Sequence, residues 1–126
     1  MESAHLVEYI RQKMAEVEAS YQHQSAGSSF CQIQKDGRVS GGLKYEEGRL
    51  VALQWVLRTL QKQGDAGFLA VAAERDHWLK ALADVQAKSP PPILWVAYRQ
   101  GGVDALTWVM EMIRAEKSFP EQSDEI

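Results

Sequence analysis

The chain holds a single cysteine, Cys31, so no disulfide can form within it. A lone thiol of this kind fits a reducing compartment. Basic charge is not in excess either: 14 Lys and Arg stand against 17 Asp and Glu, a net charge of -3. Nucleic-acid binders usually present a basic face, so no nucleic-acid partner is expected. Long hydrophobic runs are missing. The longest near-apolar stretch, "PPPILWVAY", is far short of a membrane span, and no membrane partner is expected. The N-terminal "MESAHLVEYIRQKM" lacks a basic start, an apolar stretch and a cleavage site, and so does not read as a signal peptide. These absences together lead us to expect a cytoplasmic, soluble protein.

Metal-ligating residues are also few. One cysteine and three histidines (His5, His23 and His77) show no close ligand spacing, which excludes an ordinary structural zinc site. The glycine-rich "GRVSGGLKYEEG" lacks the spacing of a phosphate loop. Its Gly41-Gly42 reads as an entry into a helix. Cys31 and His23 provide a nucleophile and a base in name only. Neither a third group to orient them nor an oxyanion donor is visible, and Cys31 reads as a plain loop cysteine.

What the chain does have is helical periodicity. Its 126 residues, 45% hydrophobic and 25% charged, suit one domain with a real core. Leu6, Ile10, Met14, Val17 and Tyr21 fall on one face of a helix over 3–24, with His5, Glu8, Gln12, Glu16 and Ala19 behind them. Residues 25–42 break the period. Asp36-Gly37 could close a hairpin within 28–40, and a loop is the alternative. A second helix covers 43–63 and ends at Gly64. Asp65 can cap a third, 66–88, with Phe68, Val71, Ala72, Leu79, Leu82 and Val85 inward. Three consecutive prolines, Pro90 to Pro92, then stop the helical path. A fourth helix runs over about 92–117, with Pro92 in its first turn. The fold class is therefore all-α, a four-helix bundle-like single domain over 1–117, followed by an acidic flexible tail over 118–126.

The second and fourth helices form an internal repeat. "YEEGRLVALQWV" (45–56) and "YRQGGVDALTWV" (98–109) share six identities over twelve positions. On a helical wheel each copy carries two apolar stripes. The second helix has Leu43, Leu50, Leu53, Leu57 and Leu60 on one side. Tyr45, Gly48, Ala52, Trp55 and Thr59 lie on the other. The fourth has Val103, Leu106, Met110 and Ile113 opposite Tyr98, Gly101, Ala105, Trp108 and Met112. A helix with two apolar stripes must bury both. A glycine costs about 1 kcal/mol in a helix interior relative to alanine, and close approach of a crossing backbone would offset that. The second and fourth helices are thus expected to meet through Tyr45, Gly48, Ala52, Trp55, Tyr98, Gly101, Ala105 and Trp108 with approximate two-fold symmetry. The meeting can lie within one chain, as a duplicated helical hairpin, or across a homodimer. Plain core packing accounts for most of these aromatics in either case.

One metal pattern competes with this reading. Glu2-x-x-His5 and Glu74-x-x-His77, with Glu46 or Glu47 and Glu111, nominally match a di-metal bundle. The wheel places His5 and His77 behind their apolar stripes, so they read as solvated polar positions. No cofactor is expected.

The function expected from these features is a non-enzymatic protein–protein interaction module. A homodimer is expected, of the kind that suits a bacterial or phage regulator or inhibitor docking on a partner. The first alternative is a small-molecule binder or enzyme with a pocket lined by Tyr45, Trp55, Tyr98 and Trp108. The second is a helix-turn-helix regulator around "LQKQGDAGFLAVAAERDHW". Against the latter, Phe68 to Trp78 is apolar where a reading helix would be polar.

Overall fold

A computed structural model describes the backbone of residues 2–25 and 41–124, and the side chains of residues 4–23 and 41–115. Four α-helices occupy this range: α1 (Glu2–Ser25), α2 (Gly41–Gln63), α3 (Gly67–Gln86) and α4 (Ile93–Asp124). A short 3-10 turn, Gly64–Ala66, joins α2 to α3. The described residues contain no strand. The hairpin or loop expected at 28–40, with Cys31, lies outside them. None of the helices, among the described residues, is long and apolar enough to cross a membrane.

The α1 face follows the period of the sequence. Leu6, Ile10 and Val17 are buried, and His5, Glu8, Gln12, Glu16 and Ala19 are exposed. Gly64 ends α2 with a positive φ of 58°, a left-handed conformation that costs glycine little. Asp65 sits inside the 3-10 turn, and Ala66 takes the N-cap position without a side-chain hydrogen bond.

The residues after α3 are exposed and include a cis Ser89–Pro90 peptide. Pro92 stands just before α4, and its carbonyl accepts the Val96 N–H at 3.0 Å. A proline there loses no hydrogen bond, because the first N–H groups of a helix have no intrahelical partner. The backbone of α4 continues to Asp124, past the end near 117, so the tail expected from 118 continues the helix.

The most extensive helix pair is α2 with α4, and each packs against the helix that precedes it: α1 on α2, α3 on α4. Since α3 returns between them, α2 and α4 run in the same direction. The core gathers Leu6, Ile10 and Val17 of α1 with Ala52, Leu53, Val56 and Leu60 of α2. Val71, Trp78 and Leu82 come from α3, and Val103, Ala105, Leu106, Val109 and Ile113 from α4. Each large aliphatic side chain buried here contributes about 1.5–3 kcal/mol of transfer free energy.

Candidate functional site

The repeated stripes meet within one chain. Gly48 of α2 and Gly101 of α4 are both buried. A Cβ built on Gly48 would collide with the Tyr98 carbonyl oxygen and lie 2.9 Å from its carbonyl carbon. A Cβ built on Gly101 would collide with the Tyr45 carbonyl oxygen, again 2.9 Å from the carbon. The same two positions would lie 3.2 Å from the Gly102 nitrogen and 3.3 Å from the Arg49 nitrogen, respectively. Each copy of the repeat therefore gives its partner a glycine and receives a tyrosine carbonyl in return. This reciprocity is the approximate two-fold relation, and it explains both glycines: only a residue without a side chain allows the main chains so close. Ala52 and Ala105, at 0% and 4% exposure, continue the seam one turn later.

Symmetry ends at the third glycine. Gly102 aligns with Arg49, and its missing side chain seats the Trp78 indole of α3. A Cβ there would collide with the ring and come 2.7 Å from Cδ2. Trp78 is only 4% exposed and donates its Nε1–H to Glu74 Oε2 at 3.1 Å. This corrects a sequence-based assignment. The inward residue on this turn of α3 is Trp78, whereas Leu79 is 36% exposed. Glu74, a nominal metal ligand in the sequence, is here the acceptor of a buried indole. Val71 and Leu82 are buried as the period indicates, but the Ala-rich stretch before Trp78 leaves this one turn poorly marked, and the paired glycines 101–102 were the available signal.

The four aromatics of the repeat do not converge. Tyr45 and Trp108 line one small cleft of about 90 Å³ with Lys13, Arg49, Leu53, Asp104 and Ala105. There the Tyr45 hydroxyl donates to Asp104 Oδ2 at 2.5 Å, and Gln100 donates to Asp104 Oδ1 at 2.8 Å. Lys13 Nζ lies 5.1 Å from the Trp108 ring centre. Burial, aided by the Asp104 carboxylate, pushes the Tyr45 phenol up to about 12, because both disfavour a second negative charge. Trp55 lines a separate cleft. Tyr98 packs against Trp78, with ring centres 5.4 Å apart, and against Trp95, edge-on at 5.6 Å and 82°. Burial also raises the Tyr98 phenol, with Glu47 adding to the rise.

A second feature escaped the sequence reading: charged groups woven into the aromatics at the start of α2 and α4. Lys44, only 8% exposed, places Nζ 4.7 Å from the Trp95 ring and 5.7 Å from that of Tyr98. It also faces Glu47 Oε2 at 3.4 Å. Arg99 covers the Trp78 ring at 5.0 Å and the Tyr98 ring at 5.5 Å. Glu46, 4% exposed, is held by Arg49 at 2.7 Å. Cations over aromatic faces gain about 0.5–2 kcal/mol each, and the arrangement lets Lys44 sit where a bare ammonium would be costly.

The nominal metal set is dispersed. His5, His77 and Glu111 are exposed, while Glu74 and Glu46 are engaged with Trp78 and Arg49. Among the described residues no three His, Cys, Asp or Glu come together as a metal site. No protein family, no curated protein and no solved structure significantly matches this chain.

Proposed function

We propose that the chain is a non-enzymatic docking module that binds a partner protein through the beginning of α4. The observation that carries this reading is an exposed apolar first turn. Ile93 is 76% exposed, Trp95 50% and Leu94 36%. Exposed apolar residues in sequence at a helix start favour contact with another surface. Trp95 is also held in place by Tyr98 and Lys44, so ordering it on binding costs little entropy. Tryptophan is among the residues enriched at binding hot spots.

The glycine stripes give no separate argument for a homodimer, since one chain satisfies them. A second copy would instead dock at the same exposed turn, and light scattering over a concentration series measures that outcome. The pocket alternative is weakened by the dispersal of its four aromatics. The Tyr45–Trp108 cleft, at about 90 Å³, is below the roughly 300–1,000 Å³ of ordinary ligand sites.

The test is affinity capture from native lysate, read by mass spectrometry, with the wild type beside Ile93→Glu/Trp95→Ala. Glutamate in the first turn of a helix suits the helix dipole, so the variant should stay folded, as circular dichroism checks. A protein captured by the wild type and lost by the variant supports the proposal. Identical captures from both contradict it. A tryptophan-fluorescence shift with a metabolite would favour the pocket reading.

A further inference from the structure

We infer that the chain docks on a second copy of itself, head to tail. The exposed first turn of α4 in one molecule enters an apolar groove that α3 and α4 form further along the next. The inference rests on the reading of that turn as the docking surface and names its partner. The groove, about 220 Å³, lies between the first turn of α3 and residues 110–114 of α4. It is lined, among the described residues, by Phe68, Leu69, Met110, Ile113 and Arg114, so both helices contribute a wall. Ile113 is buried, Phe68 and Met110 are half-buried, and Leu69 is 83% exposed. Leu69 and Ile93 are the two most exposed large hydrophobic residues among those described. One stands at the groove and the other on the turn.

The geometry rules out a meeting within one molecule. Turn and groove share α4, and Leu94 and Ile113 stand about 28 Å apart along its axis at the rise of a helix. Their chemistry matches. Ile93, Leu94 and Trp95 carry no charge, and only Arg114 among the groove residues does; an arginine stem lies readily along an apolar surface. The groove is smaller than the roughly 300–1,000 Å³ of small-molecule sites. It takes one or two large side chains, of the kind that the turn presents. An isologous dimer built on the turn alone would leave Leu69 in water, whereas the head-to-tail contact covers both exposed surfaces at once. Such a contact is heterologous. Each docked copy leaves one free turn and one free groove, so association continues past the dimer. A turn and a groove of this size make a weak contact, and high protein concentration is needed to fill it.

The experiment measures the mass of the full chain by sedimentation equilibrium from micromolar to millimolar concentration. The wild type should rise past twice the monomer mass of 14.2 kDa. Added salt should not reverse the rise, because the contact is apolar. Leu69→Glu and Ile93→Glu/Trp95→Ala should each lose association. Both glutamates fall in the first turn of a helix, where the dipole favours them, and circular dichroism checks that the variants fold. Mixed in equal amounts, the two variants should associate again but only to dimers, because the mixture holds one intact turn and one intact groove. A wild type that stays monomeric throughout would overturn the inference. So would undiminished association by either variant, or a mixture of the two that stays monomeric. A foreign protein held by Leu69→Glu as by the wild type, with the wild type itself monomeric, overturns self-docking and leaves the docking turn in place.

Discussion

Replacing Gly48 by alanine sets two effects of opposite sign against each other. On helix propensity alone, alanine should stabilise α2 by about 1 kcal/mol. The crossing with α4 reverses that. The new methyl would overlap the Tyr98 carbonyl oxygen and stand 2.9 Å from its carbonyl carbon. The obstacle is backbone, so no rotamer change relieves it, and the helices must part. Separation by about 1 Å forfeits a quarter to a half of each dispersion contact along the seam, which includes Ala52, Ala105, Val56 and Val109. Overpacking of this kind costs about 1–3 kcal/mol and should exceed the propensity gain. Gly101→Ala faces the Tyr45 carbonyl in the same way and should cost a similar amount. Leucine at either position should cost more. Gly41→Ala is the control, because a Cβ there meets nothing within 4 Å, and it should leave stability unchanged or raised. Urea denaturation read by tryptophan fluorescence gives the midpoints. If Gly48→Ala and Gly101→Ala melt at or above the wild type, the close approach of the two backbones is wrong.

Trp78→Ala should destabilise by about 3–5 kcal/mol, measured by the same denaturation, since it empties the space beside Gly102. Glu74→Ala should cost about 1 kcal/mol through the indole hydrogen bond, whereas His77→Ala should stay within about 0.5 kcal/mol. Tyr45 predicts a decline of stability at alkaline pH. Its folded-state value of about 12 lies above the ordinary 10, so the folded chain holds this proton more tightly. The resulting stabilisation is complete below pH 10 and disappears as pH rises from 10 to 12. Tyr45→Phe should flatten that part of the curve, and absorbance titration of the phenolates should show one late tyrosine fewer.

The twinned seam was readable from sequence because it rests on residue types with one strong physical meaning. A glycine inside a long helix is costly, and two at matching positions point to one cause. The faces of α1 were readable because alternatives for Leu6, Ile10 and Val17 were few. In α3 the inward Val71 and Leu82 were readable as well, but Trp78 was not, since the alanines before it tolerate either side of a helix. Neither periodicity nor composition could reveal that Lys44 and Glu46 are buried. Their burial depends on Trp95, Tyr98 and Arg49, which the fold brings to them. The pooling of four aromatics into one pocket failed for a related reason. A shared stripe sets direction around one helix, but α1 and α3 decide what each ring meets: Lys13 beside Trp108, Trp78 beside Tyr98.

Nuclear Overhauser spectroscopy on the full chain addresses the paired backbones most directly. The account predicts cross-peaks from Gly48 Hα to the Gly102 amide and from Gly101 Hα to the Arg49 amide. In a mixture of isotope-labelled and unlabelled protein, filtering for contacts between molecules should remove both. Their absence from the unfiltered spectrum, or their survival in the filtered one, would contradict a crossing made within a single chain.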